Sequence, residues 1–280
     1  MSRAAAVAQK SGRTIPRGMA LAVDLAATLL VWSYFTAGFV VFFAPFYLLA
    51  AGLAGDRTRA FQRLNCLFYR GFFGLFRWTM PRQRWRIDPA LKAVAGAVVV
   101  CNHLSYIDPL LLISLFPRHT TIVKNRLFSI PIFGWMLGLS GYLPASSEGP
   151  QAERMVRRME AMPGFLAGGG NLIVFPEGTR SRDGSVGALN AGAFKIARLC
   201  KAPVAVAAIA NSQRLFTPGR FRFNTCQANT ITVTLLDLFT PAYDSADFSV
   251  KMLVAQVRAQ LAQRTEKAVR SDQLEESNER

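Results

Sequence analysis

The chain has 280 residues, 51% of them hydrophobic, and 33 basic against 17 acidic residues give a formal charge of +16. That is enough for one large domain or two small ones with a buried core, and the charge calls for a polyanionic partner: nucleic acid, an anionic membrane surface or a phosphorylated substrate. A mean hydropathy of +0.22 argues against the usual hydrophilic nucleic-acid binder, and four scattered cysteines fit neither zinc-ligand spacing nor a disulfide framework, so they read as reduced thiols in a cytosolic compartment.

Arg3, Lys10, Arg13 and Arg17 come first, with no acidic residue among them, and Asp24 marks the near edge of an apolar run. From Leu25 to Leu53 there is no charge, and about 20 such residues cross a bilayer. Pro45 and the surplus length allow a kinked span or a helical hairpin dipping into one leaflet. A cleavable signal peptide fits poorly, because the run is too long and begins too late. The basic start favours a cytoplasmic N-terminus. The far flank is basic as well, which a monotopic anchor explains better than a span. A buried core helix is the competing structural reading.

Next comes RAFQRLNCLFYRGFFGLFRWTM. Arg63, Arg70 and Arg77 recur every seven residues and form one stripe on a helix. Phe61, Leu64, Phe68, Phe72 and Leu75 fall on the other side, and Gly71 and Gly74 weaken the helix. Eight arginines and no acidic residue lie between Arg57 and Arg86. This suits a bilayer headgroup layer, or equally a helix packed on the domain with its arginines in water.

From about Trp85 short apolar runs alternate with helical patterns. AVVVC, TTIVK, NLIVF, APVAVAAIA and TITVTLLDL read as strands covered on both faces. Helices are expected over Pro109–Leu115, Pro150–Met162, Ala191–Leu199 and Phe248–Lys267. The fold class is therefore α/β, a largely parallel sheet flanked by helices, preceded by a membrane-associated helical element. The expected division is an anchoring helical region, residues 1–84, an α/β domain, residues 85–269, and a polar, disordered tail, residues 270–280.

Two stretches carry chemistry. In CNHLSYIDPL a strand ending at Cys101 delivers His103 to the carboxyl edge of the sheet, where ligands of such sheets bind. Asp108 precedes Pro109 and reads as a helix N-cap, with its second oxygen free to orient the His103 imidazole as a general base. The alternative is a core histidine beside a capping aspartate. In LIVFPEGTRSRDG a second strand ends in a turn bearing Glu177, Arg180 and Arg182, and arginine is the fork-shaped partner of phosphate. The alternative is a polar loop with Glu177 and Arg180 paired to each other. Cys101 reads as core and His119 as a surface-loop residue. No G-x-S-x-G turn is present, which argues against a serine esterase.

NHLSYID resembles the N-H-x-x-x-x-D block, and FPEGTRS the F-P-E-G-T-R block, of the glycerolipid acyltransferases, in particular the 1-acyl-sn-glycerol-3-phosphate acyltransferases. KNRLFSIPIFGWMLGLSGYL resembles the second block and APVAVAAIA the fourth, so the likeness covers roughly residues 97–210. It implies a glycerol-3-phosphate acyltransferase-like fold and a membrane-bound O-acyltransferase. A hydroxyl of 1-acyl-sn-glycerol-3-phosphate attacks an acyl thioester, of coenzyme A or acyl carrier protein, and phosphatidic acid results. His103 is the implied base, oriented by Asp108. Lys124, Glu177, Gly178, Thr179, Arg180 and Arg182 are the implied acceptor-binding residues, with Glu177 touching the acceptor or locking Arg180. The resemblance implies no metal and no cofactor beyond the thioester. It implies as partners the bilayer, a lysophospholipid and the acyl donor, but no nucleic acid. The implied place is the cytoplasmic membrane, with the site facing the cytoplasm. Two departures stand out: Ser147 falls where the family often has an arginine, and Val206 where it often has a second proline. The first puts the acceptor in question, so another lysophospholipid or a lyso-ornithine lipid is the second reading. A non-catalytic basic protein binding anionic lipid or nucleic acid is the reading from another class; it would leave His103 dispensable.

Overall fold

The structure, a computed structural model, describes residues 16–145, 149–181 and 184–278, without the side chains of Pro150 and residues 265–278. Seven strands form one sheet in the order β1-β7-β6-β2-β5-β3-β4. They are β1 (Gln83–Ile87), β2 (Val98–Cys101), β3 (His119–Val123), β4 (Leu143–Pro144), β5 (Asn171–Val174), β6 (Val204–Ala210) and β7 (Asn229–Phe239). Every pairing is parallel except β6 with β7.

β2 and β5 are buried at every position, as continuous apolar runs between two helical layers must be. Alternate residues serve opposite layers: Val99 and Cys101 join the core under α1 (Arg17–Ser33), α3 (Arg57–Thr79) and α5 (Asp108–Leu115). Val98 and Val100 join the core under α7 (Ala152–Ala167), α8 (Gly192–Leu199) and α10 (Val250–Asn278). Short helices α2 (Ala44–Leu53), α4 (Pro89–Lys92), α6 (Phe133–Leu139) and α9 (Ser212–Leu215) complete the set. The chain leaves β2 through α5 on one face and β5 through α8 on the other. The carboxyl ends of these two neighbours therefore form a topological switch point, where α/β sheets open a crevice for ligands.

The apolar segment does not fold back on itself. Arg17–Leu53 is one 37-residue helix, and among the described residues it is the one long and apolar enough to cross a membrane. A π-helical stretch, Tyr34–Phe43, joins α1 to α2. It lies just before Pro45, which lacks the N–H that would bond the carbonyl four residues back. Of the two arrangements that the sequence allowed, a kinked span or a hairpin within the segment, the hairpin does not form; the long helix packs instead on α3. α3 itself is unbroken: Gly71 admits the Tyr34 ring, whose hydroxyl donates to the Phe68 carbonyl (2.9 Å), and a methyl at Gly71 would overlap that hydroxyl. Arg63, Arg70 and Arg77 line its exposed side, although Arg70 Nε also donates to the Ser114 carbonyl (2.9 Å).

Asp24 does more than end the apolar run. Its Oδ1 accepts from the backbone N–H groups of Thr225 (2.7 Å) and Cys226 (3.2 Å), which fastens α1 to the loop before β7. β1 begins at Gln83 and so straddles the expected division at 84/85. The helical backbone of α10 runs to Asn278, through the segment expected to be a disordered tail. No proline or glycine interrupts it, and Ala, Glu, Lys, Gln and Arg favour helix.

Candidate active site

β2 ends at Cys101, and the next residue fixes where the chain goes. The Asn102 amide donates to the Ile209 carbonyl (2.9 Å) and accepts from its N–H (2.8 Å), so a side chain continues the ladder to β6 after the backbone has left it. His103 thus emerges at the carboxyl edge. Its Nδ1 lies 3.1 Å from Asp108 Oδ2, with the imidazole 15% exposed and the carboxylate fully buried. The ring rests against Phe175, centroids 4.6 Å apart.

Asp108 is not the side-chain cap that Pro109 suggested. It is the first residue of α5, and its Oδ2 turns back to accept from the N–H groups of Leu104 and Ser105, both at 2.7 Å. One oxygen therefore gathers the imidazole and two loop amides, so the loop is shaped around the carboxylate. Its Oδ1 is buried without a partner. A carboxylate beside Nδ1 selects the tautomer with the proton there and leaves the Nε2 lone pair as the basic site. Ser105 Oγ donates to the Phe216 carbonyl (2.7 Å) and holds the same loop from below.

The turn after β5 is stitched to this loop. The His103 N–H donates to Glu177 Oε1 (3.1 Å), the Gly187 N–H to Glu177 Oε2 (3.2 Å), and the Ser181 N–H to the His103 carbonyl (2.8 Å). Burial raises the Glu177 pKa, while these two N–H donors pull it back. Glu177 does not lock Arg180, because its oxygens serve backbone amides on either side; among the described residues the two form no ion pair. Gly178 sits at φ +68°, which favours glycine. Thr179 is exposed beside it.

Arg180 lies instead on Tyr106, its guanidinium carbon 3.3 Å from the ring centroid, and its Nη1 is buried with no hydrogen-bond partner among the described residues. A buried, unpaired guanidinium donor is costly alone. It is well suited to an anion that supplies the missing acceptor.

The structure thus brings His103, Asp108, Glu177 and Arg180 together. Lys124 is exposed where β3 ends, at the same carboxyl edge but beyond β5, and among the described residues it forms no ion pair with Asp108 or Glu177. Arg182 and Ser147 lie outside the described residues. Val206 stands beside a bulge in the β6–β7 ladder, the kind of strand position that also tolerates proline. Cys101 is fully buried core, its thiol pKa pushed well up by that burial. His119 is not on a surface loop: it opens β3 fully buried, with Nδ1 2.7 Å from the Phe116 carbonyl and Nε2 2.8 Å from the Tyr142 hydroxyl. Desolvation lowers its pKa to about 4. Asn102, Tyr106 and Phe175 were missed as site residues. Asn102 and Tyr106 lie inside the quoted NHLSYID block, and a polar amide directly after a buried strand was the available signal.

Residues 86–210 match the family model described as Acyltransferase. The chain is 40% identical over 115 residues to the chloroplastic 1-acyl-sn-glycerol-3-phosphate acyltransferase LPAT1 of Arabidopsis thaliana, covering 40% of this chain and 31% of that one. It is 34% identical over 124 residues to the chloroplastic enzyme BAT2 of Brassica napus, covering 44% and 35%. The chain spans about a third of the length of these relatives. The crystal structure of the 1-acyl-sn-glycerophosphate acyltransferase PlsC from Thermotoga maritima shares the fold, with a TM-score of 0.68 at 23% identity over 89% of this chain and 97% of that one. Through residues 86–210 the chain is similar to the acyltransferase family model, and the two plant relatives it matches there are named 1-acyl-sn-glycerol-3-phosphate acyltransferases.

Proposed function

We propose that this protein is a membrane-associated O-acyltransferase that moves a fatty acyl group from a thioester to the free hydroxyl of 1-acyl-sn-glycerol-3-phosphate, giving phosphatidic acid. The observation that carries the reading is the pairing of His103 Nδ1 with the buried Asp108 carboxylate, beside a guanidinium with an unpaired Nη1.

The chemistry follows from these groups. His103 Nε2 takes the acceptor's hydroxyl proton as the oxygen attacks the thioester carbonyl. Asp108 keeps the proton on Nδ1 and stabilises the imidazolium that forms. The tetrahedral adduct collapses with loss of the thiolate, an easy leaving group at a thiol pKa of about 8.5, which takes up the proton. No acyl-enzyme is needed. Arg180, held flat by Tyr106, meets the acceptor phosphate, and Lys124 and Arg182 supply further charge at the same edge. Glu177 acts as a positioning residue, spacing the two loops. Coenzyme A or acyl carrier protein carries the acyl group.

The membrane part rests on the long helix. Leu29, Val40, Val41, Phe42, Phe46, Leu48, Leu49 and Leu53 are all more than half exposed, an apolar face too large for water. The opposite face packs along α3: Tyr34 and Phe43 on Phe68, and Tyr47 on Phe61. A helix fastened along its length to the domain suits an anchor in one leaflet, facing the cytoplasm, better than a span. Tyr106 meets Phe216, and Phe216 meets Trp32 of α1, at centroid separations of 6.0 and 6.2 Å. The phosphate-facing arginine is thereby joined to the anchor by aromatic rings, a surface along which a lysolipid's chain can lie.

The test uses membranes containing the protein, a labelled acyl-CoA or acyl carrier protein thioester, and a panel of lysolipids, with His103→Ala as control. Acylation of lysophosphatidic acid that vanishes in the variant is the expected result. Acylation of another lysophospholipid or of a lyso-ornithine lipid keeps the chemistry and transfers the acceptor, as Ser147 in place of the family's arginine allows. Equal activity in His103→Ala overturns the mechanism.

A further inference from the structure

A second concentration of positive charge lies away from the catalytic edge. Between α6 and the first half of α7 is a cavity of about 430 Å³ lined by Trp135, Gly138, Leu139, Arg154, Arg157 and Arg158. No carboxylate is among the described residues that line it. The guanidinium groups are held from behind. Arg158 Nη2 donates to the Gly138 carbonyl (2.9 Å), and Arg154 lies over the Phe128 ring while its Nη1 donates to Gln151 Oε1 (3.0 Å). Arg157 pairs with Glu153 (3.2 Å), where both side chains are mostly in water. Burial, with the like charges of Arg154 and Arg157, lowers the Arg158 pKa. Arg154 stands in the first turn of α7, where the helix dipole disfavours a cation. Three arginines are thus assembled against mutual repulsion around an open space, and an anion relieves each of these costs. Guanidinium forks match phosphate oxygens in particular.

The rim selects the kind of phosphate. Ile132 (70% exposed) and Trp135 (46% exposed) leave apolar surface in water on the α6 side. On the other side Trp135 meets Phe61 of α3 edge-on. Gly141 borders both the Thr58 methyl and the Arg158 guanidinium, which sets α7 against the first turn of α3. That turn, capped by Asp56, begins four residues after Leu53, the 82% exposed end of the apolar helix, and carries Arg57 and Arg59. A soluble phosphate needs no apolar rim. Tryptophan and isoleucine beside arginines are the composition of a bilayer interface.

We propose that this cavity is a phosphodiester site that takes the headgroup of an anionic membrane phospholipid other than the acyl acceptor, where the apolar helix turns into α3. The proposal rests on the membrane association inferred above and not on the acyl-transfer chemistry, so its test reads binding alone.

The full chain, in neutral detergent, is unfolded thermally against short-chain phosphatidylglycerol, short-chain phosphatidylcholine and inorganic phosphate. A ligand that binds the folded state raises the midpoint with its concentration. Phosphatidylglycerol is expected to stabilise the wild type, with phosphatidylcholine and phosphate at least tenfold weaker. The Arg154→Gln/Arg158→Gln pair is expected to bind phosphatidylglycerol at least tenfold more weakly. Arg157→Gln, whose side chain is largely in water and supports no packing, is expected to weaken it about threefold, and Arg154→Lys/Arg158→Lys to retain more binding than the glutamine pair. Unchanged binding in Arg157→Gln and in the glutamine pair overturns the site. Equal stabilisation by phosphatidylcholine overturns the charge argument, and equal stabilisation by inorganic phosphate overturns the lipid as its source.

Discussion

Replacing Asp108 with Asn tests the centre of the proposed mechanism. The change is nearly isosteric, and the amide oxygen can still accept from Leu104 and Ser105, so the loop has reason to keep its shape. What is lost is the charge facing the imidazolium. At the observed 3.1 Å, two unit charges attract by about 5 kcal/mol at an effective dielectric of roughly 20. At about 1.4 kcal/mol per decade of rate this is an upper limit near 10⁴. Solvent at the exposed ring edge reduces it, and general-base catalysis in proteins is worth about 10² to 10⁴. The variant is therefore expected to lose between about 10² and 10⁴ in kcat. The acceptor KM should stay within about threefold, because the Arg180–Tyr106 stack is untouched. Thiol release from the acyl donor, measured at varied acceptor in membranes holding equal amounts of folded protein, separates the two parameters. A kcat within threefold of wild type would refute the idea that Asp108 orients and stabilises His103. A loss confined to KM would move Asp108 from catalysis to acceptor binding.

Arg180→Lys should raise the acceptor KM by about tenfold and Arg180→Gln by more, with kcat nearly unchanged, since lysine keeps the charge but neither the fork nor the flat stack on Tyr106; steady-state kinetics at varied acceptor decides it. His119 predicts a pH effect on stability. Its folded pKa of about 4 lies below the ordinary 6.5, so the unfolded chain binds the extra proton. Stability is then fully present above about pH 6.5 and falls as pH drops towards 4, by about 3 kcal/mol in all; denaturant midpoints between pH 7 and 4 should fall less steeply in His119→Gln. Gly134→Ala should destabilise the protein by more than about 2 kcal/mol, because the added methyl would overlap the Phe128 carbonyl, a backbone atom with little room to move; a thermal midpoint within a degree of wild type would contradict this.

Which parts were legible in the sequence depends on how local their causes are. β2, β5 and β6 are continuous apolar runs, and a strand sealed on both faces has no other pattern to show. The His103–Asp108 pairing was legible because five residues separate the partners. β1 was missed: QRWRI carries two arginines, and its edge position leaves their side uncovered. Two-residue β4 leaves no period to read. His119 was misplaced because only its Nδ1 is served locally, by the Phe116 carbonyl, while the Tyr142 hydroxyl that meets Nε2 lies 23 residues on. For Glu177 the sequence suggested contact with the acceptor or with Arg180, three residues away, whereas its oxygens accept from the amides of His103 and Gly187. Spacing along a chain finds local partners and overlooks those that a sheet brings together.

The long apolar helix shows how the two expected regions become one. Near its start, Asp24 and Thr28 bond to the loop before β7, with Thr28 Oγ1 accepting from the Phe223 N–H (3.0 Å). Near its end, the Tyr47 hydroxyl donates to Asn65 Oδ1 (2.5 Å), and the Asn65 amide donates to the hydroxyls of Ser140 (2.9 Å) and Tyr142 (3.0 Å). Tyr142 in turn meets His119 of β3. Between these polar clasps Val31 shares a core with Phe72, Phe76 and Val99. Apolar packing alone would let such a helix slide, since lipid solvates leucine as well as protein does. A hydrogen bond that must be broken in a dry setting does not permit sliding so cheaply. The clasps at both ends therefore set the register of the helix on the domain. Trp32, which lies between them, keeps its place against Phe216 beside the loop that carries His103.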